Sequence, residues 1–187
     1  MHSVSDEKKN QTKVKSLVLI ALMSAVICVL GPLSIPIGPV PISLTNLAIY
    51  FIVYILGWKK GTVSYLIYLM IGMIGLPVLS SFSGGLGKLV GPTGGYLIGF
   101  IFVALISGLF VESFPEQRIL HFVGMVLGTV VVYVLGTAWL AYQAKMTFGA
   151  ALAVGVTPFI VGDVIKMILA VVFGPNIRRT LQKANLI

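Results

Sequence analysis

The sequence predicts an all-α integral membrane protein: a bundle of six transmembrane helices with both termini in the cytoplasm. Three observations carry that reading. Of 187 residues, 58% are hydrophobic and only 10% charged, whereas a soluble domain carries about a quarter charged residues. The apolar residues fall into stretches separated by Gly, Pro or basic residues. At ~20 residues per crossing the chain holds about six helices and no separate soluble domain. The basic residues are also distributed very unevenly between the two sides those crossings define.

Residues 1–15 are polar and basic and read as a cytoplasmic leader to a single membrane domain over 16–187. Lys8 to Lys15 followed by Leu17 to Leu30 imitates a secretory signal. However, Ile27 stands before Cys28 where a lipoprotein box wants a small residue, and further apolar spans follow. The first span is therefore about Ser16–Leu30, ended by Gly31-Pro32. Prolines at 36, 39 and 41 then impose a non-helical first loop without a single charge, because proline removes backbone donors and breaks helices. The second span covers Leu44–Trp58 and stops at Lys59-Lys60-Gly61; the third covers Thr62 to about Leu76 and stops at Pro77. A Gly-rich third loop follows, with six glycines in the sixteen residues Ser80–Gly95. The fourth span is about Thr93–Val111, the fifth Ile119–Tyr142 and the sixth about Ala153–Phe173.

Six spans place Lys8, Lys9, Lys13, Lys15, Lys59, Lys60, Arg118, Arg178, Arg179 and Lys183 on one side, and Lys88 and Lys145 on the other. The excess of cations marks the cytoplasmic side. The net charge of +8 is thus spent on topology, and its placement between apolar segments argues against nucleic acid. One cysteine, Cys28, excludes a disulfide framework, and His2 and His121 have no metal-ligand spacing with it. Gly85-Leu-Gly87-Lys88-Leu89 imitates a phosphate loop, but Phe82 stands where the first glycine belongs and Leu89 replaces Ser/Thr. No catalytic motif is present either, so neither an ATPase nor another enzyme is expected, and no cofactor or metal.

The informative residues are Asp163 and Lys166, charged side chains within an apolar stretch. Intramembrane charge costs ~2.5–3.5 kcal/mol even on lenient scales, so such a pair faces inward and is either a structural ion pair or a site. Spacing i,i+3 puts both on one helix face. Asp accepts from N–H groups and Lys donates to carbonyl or carboxylate oxygens, so a ligand with paired N–H donors and an oxygen acceptor would suit them. Asn46, beside Ser43 and Thr45, adds an amide donor and acceptor or else caps a helix. Ser81-Phe82-Ser83-Gly84-Gly85 can bring backbone N–H groups close to a bound molecule. Gly95/Gly99 and Gly124/Gly128 have the small-xxx-small spacing of packed membrane helices.

Four blocks of the chain resemble the BioY family, the biotin-specific substrate-binding (S) subunits of energy-coupling factor (ECF) transporters. They are Gly38-Pro-Val-Pro-Ile-Ser-Leu-Thr-Asn46, Gly75-Leu-Pro-Val78, Gly91-Pro-Thr-Gly-Gly-Tyr-Leu-Ile-Gly99 and Val156-Thr-Pro-Phe-Ile-Val-Gly-Asp-Val-Ile-Lys166. The resemblance implies a high-affinity biotin-capturing membrane subunit, working with a transmembrane coupling protein and two ATPase subunits. It puts Asp163 on the ureido N–H groups of biotin and Lys166 or Asn46 on its oxygens. Ser43, Ser83, Gly84, Gly85 and Gly91 would complete the site, with Tyr50, Phe82 and Tyr96 as apolar walls. The family marks its first helix with an Ala-x-x-x-Ala docking patch, which Ala21 and Ala25 fit. On the residues alone, an S subunit for a different small vitamin and a proton-coupled secondary transporter using Asp163 stay open.

Overall fold

The computed structural model describes residues 2–187, with side chains from Asn10 onward. Met1 and the side chains of residues 2–9, Lys8 and Lys9 among them, lie outside the described residues. The described residues form seven helices: α1 (His2–Leu30), α2 (Thr45–Met73), α3 (Leu86–Val90), α4 (Gly94–Ser113), α5 (Arg118–Ala144), α6 (Phe148–Gly155) and α7 (Ile160–Lys183). The Pro-rich segment adds two short strands, β1 (Ser34–Ile35) and β2 (Ile42–Ser43), paired antiparallel with Ser34 opposite Ser43. Four helices are long and apolar enough to cross a membrane: α1 from Asn10, α4, α5 and α7. The chain is therefore an all-helical, multi-pass membrane protein apart from this hairpin.

The helix boundaries differ from the sequence expectation in three places, each with a local cause. Helix α1 begins at His2 rather than near Ser16, so the polar leader continues the helix of the first apolar stretch. The break between the expected second and third spans falls at Gly57, not at Lys59–Gly61. Gly57 has φ 76° and ψ −179° inside α2, a backbone conformation that favours glycine. The two halves of α2 fold back on each other there, since a Cβ on Gly61 would stand 3.1 Å from the side chain of Val53. Eight residues along one straight helix would instead be about 12 Å apart. The Glu112 side chain lies against Gly57 and its Oε1 accepts from Trp58 N at 3.1 Å. The glutamate thereby satisfies one of the orphan donors of the second half.

The third difference matters most for the site. The expected sixth span is divided between the short α6 and the longer α7, with residues 156–159 between them. Pro158 disfavours helix in the residue before it, and Val156 is already non-helical at φ −130°, ψ −53°. Asp163 therefore lies in the first turn of α7 rather than in mid-helix, where the amino-terminal end of the helix dipole favours a carboxylate.

Helices α4 and α5 pack antiparallel through the four paired glycines. A Cβ on Gly99 would meet Val132 Cα at 3.0 Å, one on Gly124 would meet Phe110 Cβ at 2.5 Å, and one on Gly128 would meet Val103 Cα at 3.0 Å. Gly95 lies against Trp139 in the same way. Close backbone approach maximises dispersion contact where lipid offers no hydrophobic drive. Serines tie α1 to the second half of α2: Ser24 Oγ donates to Ser64 O at 3.0 Å, and Ser64 Oγ to Ile20 O at 3.2 Å. The basic residues of α1, of the reversal within α2 and of the end of α7 meet at one end of the bundle, where Lys15 Nζ donates to Asn185 O. The hairpin and the 76–93 segment lie at the other end, joined by Ser81 N donating to Ser34 Oγ at 2.8 Å.

Gly57→Ala is expected to lower the melting temperature in detergent. A backbone at this φ and ψ is essentially restricted to glycine and costs another residue about 1–3 kcal/mol, and the new methyl displaces the Glu112 carboxylate. Gly149→Ala, where a Cβ meets nothing, serves as the control and leaves the melting temperature unchanged or raised. Equal melting of Gly57→Ala and wild type would contradict a reversal of the chain at Gly57.

Candidate functional site

Four separate elements bring polar groups to one buried cluster. The hairpin supplies the Ser43 backbone carbonyl, the start of α2 supplies Asn46, α5 supplies Tyr133, and the first turns of α7 supply Asp163 and Lys166. Asp163 and Lys166 are only 7% and 8% exposed. Lys166 Nζ stands 3.1 Å from Asp163 Oδ1, 3.0 Å from Asn46 Oδ1 and 2.8 Å from the Ser43 carbonyl oxygen. Asn46 Nδ2 donates to Asp163 Oδ1 at 2.7 Å, and the Tyr133 hydroxyl donates to Asp163 Oδ2 at 2.8 Å. Asn46 also accepts from Leu47 N at 3.1 Å through Oδ1, so its amide orientation is fixed from both sides.

The donor inventory shows what this cluster can still offer. An ammonium has three donors, and all three of Lys166 are committed within the protein. A carboxylate offers about four acceptor sites, of which three are taken on Asp163. The Tyr133 oxygen retains its acceptor capacity after donating, and Asn46 Nδ2 retains a second hydrogen. The cluster thus presents acceptors on Asp163 and Tyr133 and a donor on Asn46, with no net charge. A neutral group carrying N–H donors next to a carbonyl matches it.

The cluster forms one wall of a pocket between the hairpin, α2, α4, α5 and α7. Apolar walls come from Val40 and Pro41 of the first loop, Leu97 and Phe100 of α4, Val132 of α5, and Phe159 before α7. Hydroxyls of Ser80, Thr93 and Thr129 complete it. The lining therefore combines an apolar slot with a polar end.

Among the residues singled out in the sequence, Asp163, Lys166, Asn46, Ser43 and Tyr96 line this pocket. Tyr96 is fixed by its hydroxyl donating to Gly155 O at 3.0 Å. Tyr50 lies one layer behind, fully buried, with its hydroxyl 2.7 Å from Thr129 Oγ1. The wall does not include Phe82, Ser83, Gly84, Gly85 or Gly91. Phe82 is 66% exposed, and Ser83 closes a tight turn by exchanging backbone bonds with Leu79. The close approach at Gly84 is to the chain's own backbone, at Leu76 O and Gly75. Gly91 O is taken by Trp139 Nε1 at 2.8 Å. Only the flanks of this segment, Ser80 and Thr93, reach the pocket. Ala21 and Ala25 are exposed on the outer face of α1.

Sequence reasoning overlooked Tyr133 and Thr129. Their signal was available: Thr129, Tyr133 and Thr137 recur at i,i+4 in an otherwise apolar span, which places three polar groups on one inward face.

The profile of the BioY family matches residues 6–183. The chain is 37% identical over 174 residues to the biotin transporter BioY2 of Lactococcus lactis subsp. cremoris, covering 93% of this chain and 96% of that one. It is 36% identical over 165 residues to the biotin transporter BioY of Thermotoga maritima, covering 88% and 96% respectively. Among solved structures, the S-component for biotin from an ECF-type ABC transporter superposes with a TM-score of 0.84. That match is 37% identical and covers 91% of this chain and 94% of the other.

Breaking the buried ion pair on one side is expected to cost about 3–5 kcal/mol, because it strands a buried charge. Lys166→Met should therefore melt well below wild type, and the double variant Asp163→Asn/Lys166→Met should recover part of the loss. Strictly additive losses in melting experiments would contradict direct coupling of the two charges.

Proposed function

The chain belongs to the BioY family, and from that premise we propose that it is the membrane subunit that captures biotin outside the cell and delivers it inward with an ATP-driven ECF coupling module. The observation that carries the reading is the donor count of the polar cluster. Biotin's ureido ring is neutral and offers two N–H donors beside one carbonyl oxygen. Asp163 and Tyr133 take the N–H groups, and the free hydrogen of Asn46 Nδ2 takes the carbonyl. Lys166 acts on the ligand through Asp163: with its three donors committed, it neutralises and orients the carboxylate. Phe100, Val132 and Phe159 supply the apolar slot for the thioether ring.

In this proposal α1, the two halves of α2, α4, α5 and α7 make six crossings with both termini cytoplasmic. The grouping of Lys15, Lys60 and Arg178 around one cleft supports that orientation. The pocket then opens on the outer side, flanked by the Pro-rich hairpin and the Gly-rich segment, whose mutual bond through Ser34 and Ser81 must yield for entry. Residues 1–15 form the cytoplasmic leader, and the coupling protein docks on Ala21 and Ala25, where small exposed residues admit a helix closely. ATP hydrolysis belongs to the two ATPase subunits. The proton-coupled alternative asks Asp163 to exchange protons with water, yet it is 7% exposed and held by three donors.

Titration calorimetry on the detergent-purified chain should show saturable one-to-one biotin binding that thiamine does not displace. Asp163→Asn is expected to weaken it by at least about 1.5 kcal/mol, the low end for charge-assisted hydrogen bonds, or roughly tenfold. Unchanged affinity in the folded variant would remove Asp163 from the site. Ala21→Leu/Ala25→Leu should spare binding and impair uptake by the full complex; loss of binding as well would place those alanines in the bundle's internal packing.

A further inference from the structure

At the end of the bundle opposite the polar cluster, α1, α2, α4 and α7 line an open cleft. Three cations from three different helices converge on it: Lys15 of α1, Lys60 of α2 and Arg178 of α7. Glu112, at the end of α4, is the acidic side chain in the lining, and its Oε1 already accepts from Trp58 N. None of the three cations forms an ion pair among the described residues, where the single pair is Lys166–Asp163. Three cations against the one acidic side chain leave an excess of positive charge in the lining, which a bound anion would offset.

Beside the cations the same cleft carries apolar side chains, Leu19, Ile55 and Leu56, together with polar Ser16 and Gln182. Free phosphate would satisfy the cations and leave the apolar side chains wet. A glycerophospholipid covers both, its phosphate among the cations and its glycerol and first acyl carbons on the apolar wall. Arg178 brings a planar fork suited to two phosphate oxygens, and the lysines act as point charges. Basic pockets between membrane helices are a recognised geometry for anionic headgroups.

We propose that the cleft formed by Lys15, Lys60 and Arg178 over Leu19, Ile55 and Leu56 is a binding site for one anionic phospholipid from the leaflet that surrounds this end of the bundle. It is separate from the ligand pocket and independent of what that pocket binds.

The test is native mass spectrometry of the full chain with equal concentrations of dioleoyl-phosphatidylglycerol and dioleoyl-phosphatidylcholine. Wild type should retain one phosphatidylglycerol in preference to phosphatidylcholine. Each cation near an anionic lipid is worth about fivefold, so Lys60→Gln/Arg178→Gln should reduce the preference by at least about fivefold. Lys13→Gln/Arg179→Gln removes the same charge outside the cleft lining and should keep it, which separates a site from general attraction. Melting curves in detergent confirm that both variants are folded, and Lys60→Arg/Arg178→Lys, with the charges exchanged, should retain the lipid. Equal loss in the two Gln pairs, or equal retention of both lipids by wild type, would overturn the proposal. Displacement of the lipid by excess inorganic phosphate would overturn the lipid reading in favour of a phosphate site. No lipid preference, together with lost uptake by Lys60→Gln/Arg178→Gln in the full complex, would assign the cleft to a protein partner instead.

Discussion

A buried ammonium with all three donors spent on the protein organises this molecule. Lys166 joins the hairpin through Ser43, α2 through Asn46 and its own helix through Asp163. Taking such a charge out of water costs several kcal/mol unless a counter-ion and hydrogen bonds replace the hydration. The structure meets that demand with contributions from segments 120 residues apart in sequence. Asp163 must therefore sit at the start of a helix facing the first loop, which the break before α7 accomplishes. Tyr133 then closes the far side of the carboxylate from α5. The result is a polar surface whose hydrogen-bonding directions are set before any ligand arrives, and pre-set geometry reduces the ordering cost of binding.

The rest of the bundle divides the labour by position. Helices α4 and α5 are locked by glycine contacts and carry the apolar walls, so they form a rigid side of the pocket. The hairpin and the Gly-rich segment lie across the same end and are joined by serine hydrogen bonds that a small rearrangement can exchange. At the opposite end lies the turn at Gly57, capped by Glu112, with Lys15, Lys60 and Arg178 around one cleft. The polar pocket and the basic cleft thus occupy the two ends of one helical bundle.

Much of this was legible in the residues, and the exceptions have physical causes. Asp163, Lys166 and Asn46 announce themselves because charge and amide are costly in an apolar stretch. Their convergence follows from the same cost. The glycine pairs of α4 and α5 were legible as packing for the reason that lipid gives no other drive. By contrast, the break at 156–159 hides within an apolar run, where hydropathy is uniform and only Pro158 marks it. The reversal at Gly57 was displaced to Lys59–Gly61 because charge is a louder signal than backbone conformation. Tyr133 escaped notice since a tyrosine in a membrane helix reads as an apolar wall until its hydroxyl is given a partner. In the Gly-rich segment the lack of a Cβ at Gly84 admits the backbone of Leu76 and Gly75, a packing role that the composition alone does not distinguish from approach to a ligand.

The most direct test of the account is a crystal structure of the chain with biotin bound. The ureido ring is expected at the Asp163 end of the pocket. Its N–H groups should lie within hydrogen-bonding distance of the Asp163 carboxylate and the Tyr133 hydroxyl, with the Lys166–Asp163 pair intact. Biotin bound elsewhere, or seated there with Lys166 drawn away from Asp163 to contact the ligand, would contradict it.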